Sequence, residues 1–347
     1  MKNRTIYAWS SDFEEFTGEG ILARNFLNKI LGTFKGKIKI KSNNSEYILF
    51  KNKIKKIKSS NYNNNFINKY LKLFLGIIYL RKYNAKGYKT LYINYLPLWN
   101  FLIFLFLPKN TFLGPITGGK HVIKNYTFNS LVRKYIFPFF FKISSSILEK
   151  KNINLSFSTK MLRNYLPNKV IKKSFFEFNL ICFEPKKREK KYIDFIFYYR
   201  THSNKSNHYL FNLINKLAGE KKKIFVVGDK FPNKNVKNLG NIKRELLLTY
   251  LSRTKFSLNS GENFYSLFAL DCISNHVTLF IDKKSFIKKN YFKNCNIHLI
   301  DFNNFSQSYK IIIKKLNNQK IFLNNFNSIN KRKKYLTNNL KNLFDFK

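Results

Sequence analysis

Acid is what this chain has least of: 18 Asp and Glu stand against 65 Lys and Arg in 347 residues, a formal charge of +47. Such an excess points to nucleic acid or an anionic membrane surface. The basic residues are spread along the chain and do not gather into a tail or one helix. Lys, Asn, Ile, Phe and Tyr are over-used together while Ala, Gly, Pro and Arg are scarce, the pattern an A- and T-rich genome imposes. A nucleic-acid-binding protein is therefore the rival reading, and no specific nucleic acid is expected as a partner. Cysteine is scarce too. Cys182, Cys272 and Cys295 form no CxxC pair, which excludes a disulfide framework and suggests a reducing, cytoplasmic setting. Glycine and proline together make only 20 residues and aromatics 18%, which excludes a disordered or collagenous chain. No run approaches the roughly 20 apolar residues of a membrane span. The longest, 96–107, is broken by Pro97 and Asn100, and the N-terminus runs into a strand without an apolar signal region. A DxD pair and any His or Cys cluster at ligand spacing are also missing, so no metal site is expected.

What is present is alternation. Strand-like runs at 5–9, 37–40, 90–94, 111–113 and 153–157 are separated by helical or loop stretches. A second series follows at 193–198, 223–227, 236–239, 256–259, 277–281 and 297–300. Short apolar runs alternating with helices imply an α/β protein with parallel sheets. Periodicity lapses over 172–191, around Pro185 and a run of basic residues. This divides the chain into expected domains at 1–175 and 176–325, with a helical tail at 326–347. Residues 51–66 are low in complexity and read as a solvated loop or frayed helix. Residues 126–150 interleave Phe and Ile with Arg133, Lys134, Lys142 and Lys150. Two readings stand there: an interfacial helix resting on anionic lipid, or a core helix with exposed basic residues.

The chemistry-bearing residues fall at expected strand ends. Thr17-Gly18-Glu19-Gly20 lies between the first strand and helix 20–31, where backbone amides face a ligand crevice. Gly18, Gly20 and Ala23 satisfy G-x-G-x-x-A, but no acid closes the second strand to hold a ribose, which counts against a Rossmann oxidoreductase. A second glycine cluster, Gly114 to Gly119, follows another strand. Arg200 and Lys205 follow strand 193–198, where two cations can neutralise a diphosphate. His202 lies between them. Gly228 ends the next strand. Glu262, Asn263 and Phe264 lead into a nearly all-apolar helix, 264–274, that carries Asp271. A helix N-terminus is an anion site, and a carboxylate on a buried helix needs an internal donor, a cation or ligand hydroxyls. Glu262 and Asn263 as simple caps, with Asp271 paired to a buried Lys, is the structural alternative.

Taken in order, these segments resemble the retaining GT-B glycosyltransferases, the family 4-like group that includes sucrose synthase and bacterial polysaccharide and lipid glycosyltransferases. The resemblance rests on the glycine-rich first loop, Arg200 and Lys205 as R-x4-K, 226–229 and 239–242, and Glu262 to Asp271 in place of E-x7-E. It departs from the pattern in an eight-residue spacing, in Asp for the second acid, in His276 for a usual Gly and in Tyr199 before the Arg. It implies two Rossmann-like doubly wound parallel-sheet domains facing a cleft, and sugar transfer from a nucleotide-diphosphate donor without a cofactor. Arg200 and Lys205 would hold the diphosphate, Glu262 and the amides after it the donor sugar, and Asp271 the ribose. The expected partners are the donor, a glycan or lipid-linked acceptor and an anionic membrane surface, for a cytoplasmic protein peripheral at the inner membrane face. A catalytically degenerate GT-B sugar-binding protein is the other alternative.

Overall fold

The computed structural model describes residues 5–59, 66–118, 128–201, 208–259, 266–283, 292, 294–317 and 324–344. The chain divides into two compact units, Met1–Cys182 with Lys334–Lys347, and Phe183–Lys333.

The first unit is built on strands β1 (Thr5–Trp9), β2 (Lys37–Lys41), β3 (Ser45–Phe50), β4 (Lys53–Ser59), β5 (Lys89–Leu96), β6 (Thr111–Ile116), β7 (Leu155–Phe157) and β8 (Ser174–Phe175). They form one sheet in the order β4-β3-β2-β1-β5-β6-β7-β8. The pairs from β2 through β1 to β8 are parallel, whereas β3 and β4 add on antiparallel. The helices are α1 (Gly18–Asn25), α2 (Phe66–Asn84), α3 (Phe101–Phe106), α4 (Phe128–Leu131), α5 (Phe137–Lys151) and α6 (Asn168–Lys172). A π-helical turn, Phe26–Ile30, extends α1, and another, Val132–Ile136, joins α4 to α5. Because successive strand residues point to opposite faces, β6 serves two cores. Phe112 stacks on Phe26 at 5.4 Å and meets Phe344, while Leu113 packs with Trp9, Tyr92 and residues of α2, α3 and α5.

The hairpin β3-β4 corrects the expectation of a loop or frayed helix at 51–66 as far as residue 59; residues 60–65 lie outside the described residues. Lys51 and Asn52 both have positive φ, 47° and 62°, and lie between the paired Phe50 and Lys53. That is the backbone of a type I′ turn, whose twist matches antiparallel strands. β4 is almost wholly exposed and rich in lysine, which suits a sheet edge that must not recruit another strand.

The second unit has β9 (Ile193–Tyr199), β10 (Ile224–Gly228), β11 (Lys237–Gly240), β12 (Thr254–Leu258), β13 (Thr278–Asp282) and β14 (Ile297–Ile300), in the order β11-β10-β9-β12-β13-β14. Every pair is parallel. Its helices are α7 (His208–Gly219), α8 (Arg244–Ser252), α9 (Leu267–Ser274) and α10 (Phe305–Asn317), and α11 (Asn327–Phe344) closes the chain. Phe195, Phe197 and Tyr199 of β9 pack with Leu213 and Leu217 of α7 and Ile312 and Leu316 of α10. Tyr198, between them, stacks on Phe268 of α9 at 5.6 Å. Burying each such aliphatic or aromatic side chain contributes roughly 1.5–3 kcal/mol, which is why these strands read so plainly as apolar runs. Among the described residues no helix is long and apolar enough to cross a membrane.

Candidate functional site

In each sheet the chain reverses its direction of strand addition once, and the carboxyl ends of the two strands at that point border a crevice in which α/β proteins bind ligands. In the second unit the strands are β9 and β12. Arg200 follows β9 directly and is exposed. Gly228, at the end of the neighbouring β10, has φ +102°, and a Cβ there would lie 2.3 Å from the Tyr199 carbonyl oxygen. Only glycine permits that approach. It brings the Asp229 amide within 3.0 Å of the Tyr199 oxygen. Asp229 Oδ2 then accepts from both the Thr201 amide, at 2.7 Å, and the Thr201 hydroxyl, at 2.8 Å. These bonds, with a smaller contribution from the Arg200 charge, hold the Asp229 carboxyl below the usual carboxylate range. The segment leaving β9 is thus fastened to the end of β10, with Arg200 next to the fastening.

Across the switch point stands Asn259, directly after β12. Its amide donates to the Phe280 oxygen at 2.9 Å, which completes the ladder with β13. Its side chain is 2% exposed, and Nδ2 has no partner among the described residues. A buried donor without an acceptor is costly and uncommon. In the sequence Asn259 is the last residue of an expected strand at 256–259. Its only sequence signal is an amide closing an otherwise apolar run.

Asp271 is 3% exposed on α9, as the apolar helix predicts, and its partner is a cation inside the unit. Arg244, the first residue of α8, donates from Nε to Oδ2 at 3.0 Å and from Nη2 to Oδ1 at 2.5 Å. Burial raises the Asp271 pKa and the guanidinium opposes that rise. No lysine pairs with Asp271 among the described residues; the half-buried Lys191 donates instead to the Thr254 and Asn275 carbonyls at 2.6 and 2.9 Å. Burial pulls its pKa down to about 8. Nothing in the sequence spacing links Arg244 to a carboxylate 27 residues away.

His276 has φ +56°, the left-handed conformation that glycine adopts most readily. Its ring is used. Nδ1 accepts from the Asn324 amide at 3.3 Å, which leaves Nε2 to donate to the Lys186 carbonyl at 3.1 Å. Burial lowers its pKa, in keeping with a neutral ring.

Lys205, His202, Glu262, Asn263 and Phe264 lie outside the described residues. The helix expected over 264–274 is described from Leu267, with the Ser266 hydroxyl accepting from the Ala269 amide as its N-cap.

The first unit reverses between β1 and β5. Ser11, after β1, donates from its amide and its hydroxyl to Asn94 Oδ1 of β5, at 2.8 and 2.9 Å. Asn94 Nδ2, like that of Asn259, has no partner among the described residues, and its side chain is 4% exposed. Gly18 opens α1 and is exposed, whereas Gly20 is buried by its own loop. A Cβ on Gly20 would lie 2.2 Å from the Glu15 oxygen and 2.3 Å from the Asp12 oxygen. The Gly20 amide donates to Thr17 Oγ1 at 3.4 Å, and Arg24 ties the loop through the Phe13 and Glu15 carbonyls. Gly20 is thereby a packing residue. Gly114 of the second cluster faces Ser156 closely, and Gly119 lies outside the described residues.

The switch point of the second unit therefore offers a guanidinium, a carboxamide and strand-end amides, and that of the first unit, taken by itself, a carboxamide. Among the described residues no group of three His, Cys, Asp or Glu side chains is placed to hold a metal ion.

No protein-family model matches the chain, and no curated protein matches it in sequence. Solved structures do match in fold. Sucrose-phosphate synthase from Thermosynechococcus elongatus aligns at a TM-score of 0.59 with 12% identity, over 98% of this chain and 96% of that one. Anabaena HepE in complex with UDP-glucose aligns at 0.54 with 8% identity, over 98% of each chain. S. aureus MnaA with UDP aligns at 0.51 with 9% identity, over 99% and 98%. The fold is that of the GT-B class, two Rossmann-like α/β units built on mainly parallel sheets.

Proposed function

We propose that this chain is a glycosyltransferase that moves a sugar from a nucleotide-diphosphate donor to an acceptor hydroxyl, with retention and without a cofactor. The observation that carries the reading is a single switch point flanked by an exposed guanidinium, Arg200, and a buried carboxamide donor, Asn259, that has no acceptor among the described residues. A diphosphate presents only acceptors, and its charge grows on the departing oxygen as the bond to the sugar breaks. A fixed guanidinium stabilises that charge without reorganising. The fold adds support, since HepE carries UDP-glucose and MnaA carries UDP in structures of the same class.

In this reading residues 176–325 take the donor and 1–175 the acceptor. Lys205 shares the diphosphate with Arg200, and Glu262 with the Asn263 and Phe264 amides orients the sugar. Gly228 gives the backbone its close approach, and Gly18 and Gly20 shape the first loop. Asp271 acts first through Arg244, which fixes α9 against α8. A carboxylate has about four acceptor positions and the guanidinium takes two, so a ribose hydroxyl would use a remaining one. The acceptor is a glycan or a lipid-linked saccharide of surface polysaccharide or glycolipid synthesis on the cytoplasmic side.

The test is a thermal-shift series with UDP-, GDP-, ADP- and CMP-sugars, because a ligand that binds only the native state raises its stability by mass action. A shift is expected with one nucleoside-diphosphate sugar and its loss in Arg200→Ala. The absence of a shift with every diphosphate sugar would overturn the proposal. Donor turnover, followed as released nucleotide, then separates an enzyme from a sugar-binding protein of the same fold.

A further inference from the structure

The helical layer formed by α2, α3 and α5 has apolar residues on both sides. Inward, Ile77 and Leu80 of α2, Ile103 and Phe104 of α3, and Phe141 and Leu148 of α5 share one core with Trp9 and Tyr92 of the sheet. Outward, each helical segment repeats the pattern. Leu71, Leu75 and Ile78 lie four and three residues apart on α2, and Leu102, Leu105 and Phe106 three and one apart on α3. Leu131, Tyr135 and Phe139 follow at four-residue steps through the π-helical turn into α5. With Phe128 and Ile136, eleven large apolar side chains of these adjoining helices are exposed, Phe128 to 80%. At roughly 70–100 Å² apiece they exceed the patch of about 300–600 Å² that a monomer ordinarily shows. A stripe at helical spacing that faces away from its own core has no folding reason to be apolar.

The charge around this surface decides what covers it. The helical segments that carry it, 66–84, 101–106 and 128–151, contain nine Lys and Arg and a single acid, Glu149. Two of the cations stand over rings of the patch: Arg81 lies 5.7 Å from the Phe106 centroid and Lys134 4.8 Å from the Tyr135 centroid. A second copy of this chain would bring the same positive charge to the contact, which opposes pairing. Long basic side chains above an apolar layer instead match an anionic lipid surface, where the rings and aliphatic groups enter the acyl boundary and the cations meet headgroups.

We propose that the outer faces of α2, α3 and the α4–α5 segment form one surface that docks on an anionic phospholipid bilayer. Of the two readings of 126–150, this selects the interfacial one and extends it to two further helices. Docking stands apart from catalysis. Only its use, bringing a lipid-linked acceptor to the first unit, rests on the glycosyltransferase reading.

The experiment is co-sedimentation of the full chain with vesicles of phosphatidylcholine alone and of phosphatidylcholine with phosphatidylglycerol. Binding is expected to the mixed vesicles and not to the neutral ones, and to weaken with salt. Leu105→Glu with Phe139→Glu should lower the partition constant at least tenfold, while Leu299→Glu, an exposed apolar residue on β14, leaves it unchanged. Circular dichroism and melting of each variant separate lost docking from lost folding. Equal partition of the double variant and the parent, or no binding by the parent, overturns the proposal. So does a concentration-dependent dimer in sedimentation that the double variant dissolves, since the occupant would then be a second copy. Neither the vesicle assay nor its outcome depends on a nucleotide sugar, so a failed donor screen leaves this result standing.

Discussion

Arg244 and Asp271 close a two-pronged ion pair between the first turn of α8 and the middle of α9, with the carboxylate side chain 5% exposed and the guanidinium side chain 14%. The pair places a charge in one of the most apolar helices of the molecule, and each member depends on the other. Arg244→Met leaves a buried carboxylate unpaired, which costs about 3–5 kcal/mol. The double variant Arg244→Met, Asp271→Leu removes both charges and should recover most of that loss. Urea denaturation of the parent, the single and the double variants measures the coupling, and additive losses would show that the pair is weak.

Gly228 holds the end of β10 against β9. Gly228→Ala asks an L side chain to adopt φ +102° with its Cβ 2.3 Å from a backbone oxygen that cannot yield. A cost of about 1–3 kcal/mol is expected from the backbone alone, together with release of the Asp229–Thr201 bonds that steady Arg200. In a denaturation series Gly228→Ala should fall well below Gly219→Ala, because Gly219 meets nothing within 4 Å.

The neutral His276 ring gives the second unit a pH dependence of definite sign. Its pKa in the native state is lowered from 6.5 by burial first, with the Lys191 and Arg188 charges pushing the same way and the Lys186 carbonyl bond opposing. The unfolded chain then binds the proton more readily, so the contribution to stability is complete above the unfolded pKa and is lost as pH falls through the native one. Protonation also removes the acceptor that Nδ1 offers to the Asn324 amide. His298, held to about 4 mainly by burial, has the same sign. The decisive comparison is therefore His276→Asn against the parent: an asparagine tolerates the left-handed backbone and does not titrate. Melting temperatures from pH 7.5 to 5 should converge as pH falls, and parallel curves would remove His276 from this role.

Most of the parallel strands were legible because they appear as short apolar runs, as 193–198 and 277–281 do, whereas the two-residue β8 fell in the stretch read as a lapse of periodicity. The hairpin β3-β4 was not, since an edge strand of lysines carries no apolar pattern and its turn is set by two backbone conformations that Lys51 and Asn52 do not advertise. Asp271 could be recognised as buried from its helix alone. Its partner could not, because an ion pair between two helices is fixed by packing and not by spacing. Arg200 and Gly228 stood out at strand ends. Asn259 and Asn94 did not, for an asparagine at a strand end is common and only the three-dimensional count of acceptors shows that these two lack one among the described residues.

That count separates stability from binding at Asn259. Replacing a buried donor that has no acceptor by an apolar group of similar size should leave stability unchanged or raise it by up to about 1 kcal/mol, because a desolvation cost disappears with the amide. Were the amide kept only for folding, Asn259→Leu would be destabilising and nothing else. If instead Nδ2 is held for a donor oxygen, Asn259→Leu melts at or above the parent temperature and loses at least tenfold in nucleotide-sugar affinity, while Asn259→Asp, with acceptors in place of the donor, repels the diphosphate and loses more. Isothermal titration with the sugar nucleotide that shifts the parent, read beside the melting curves, distinguishes the two. A stable Asn259→Leu protein with parental affinity would remove this residue from the site and leave Arg200 to define it.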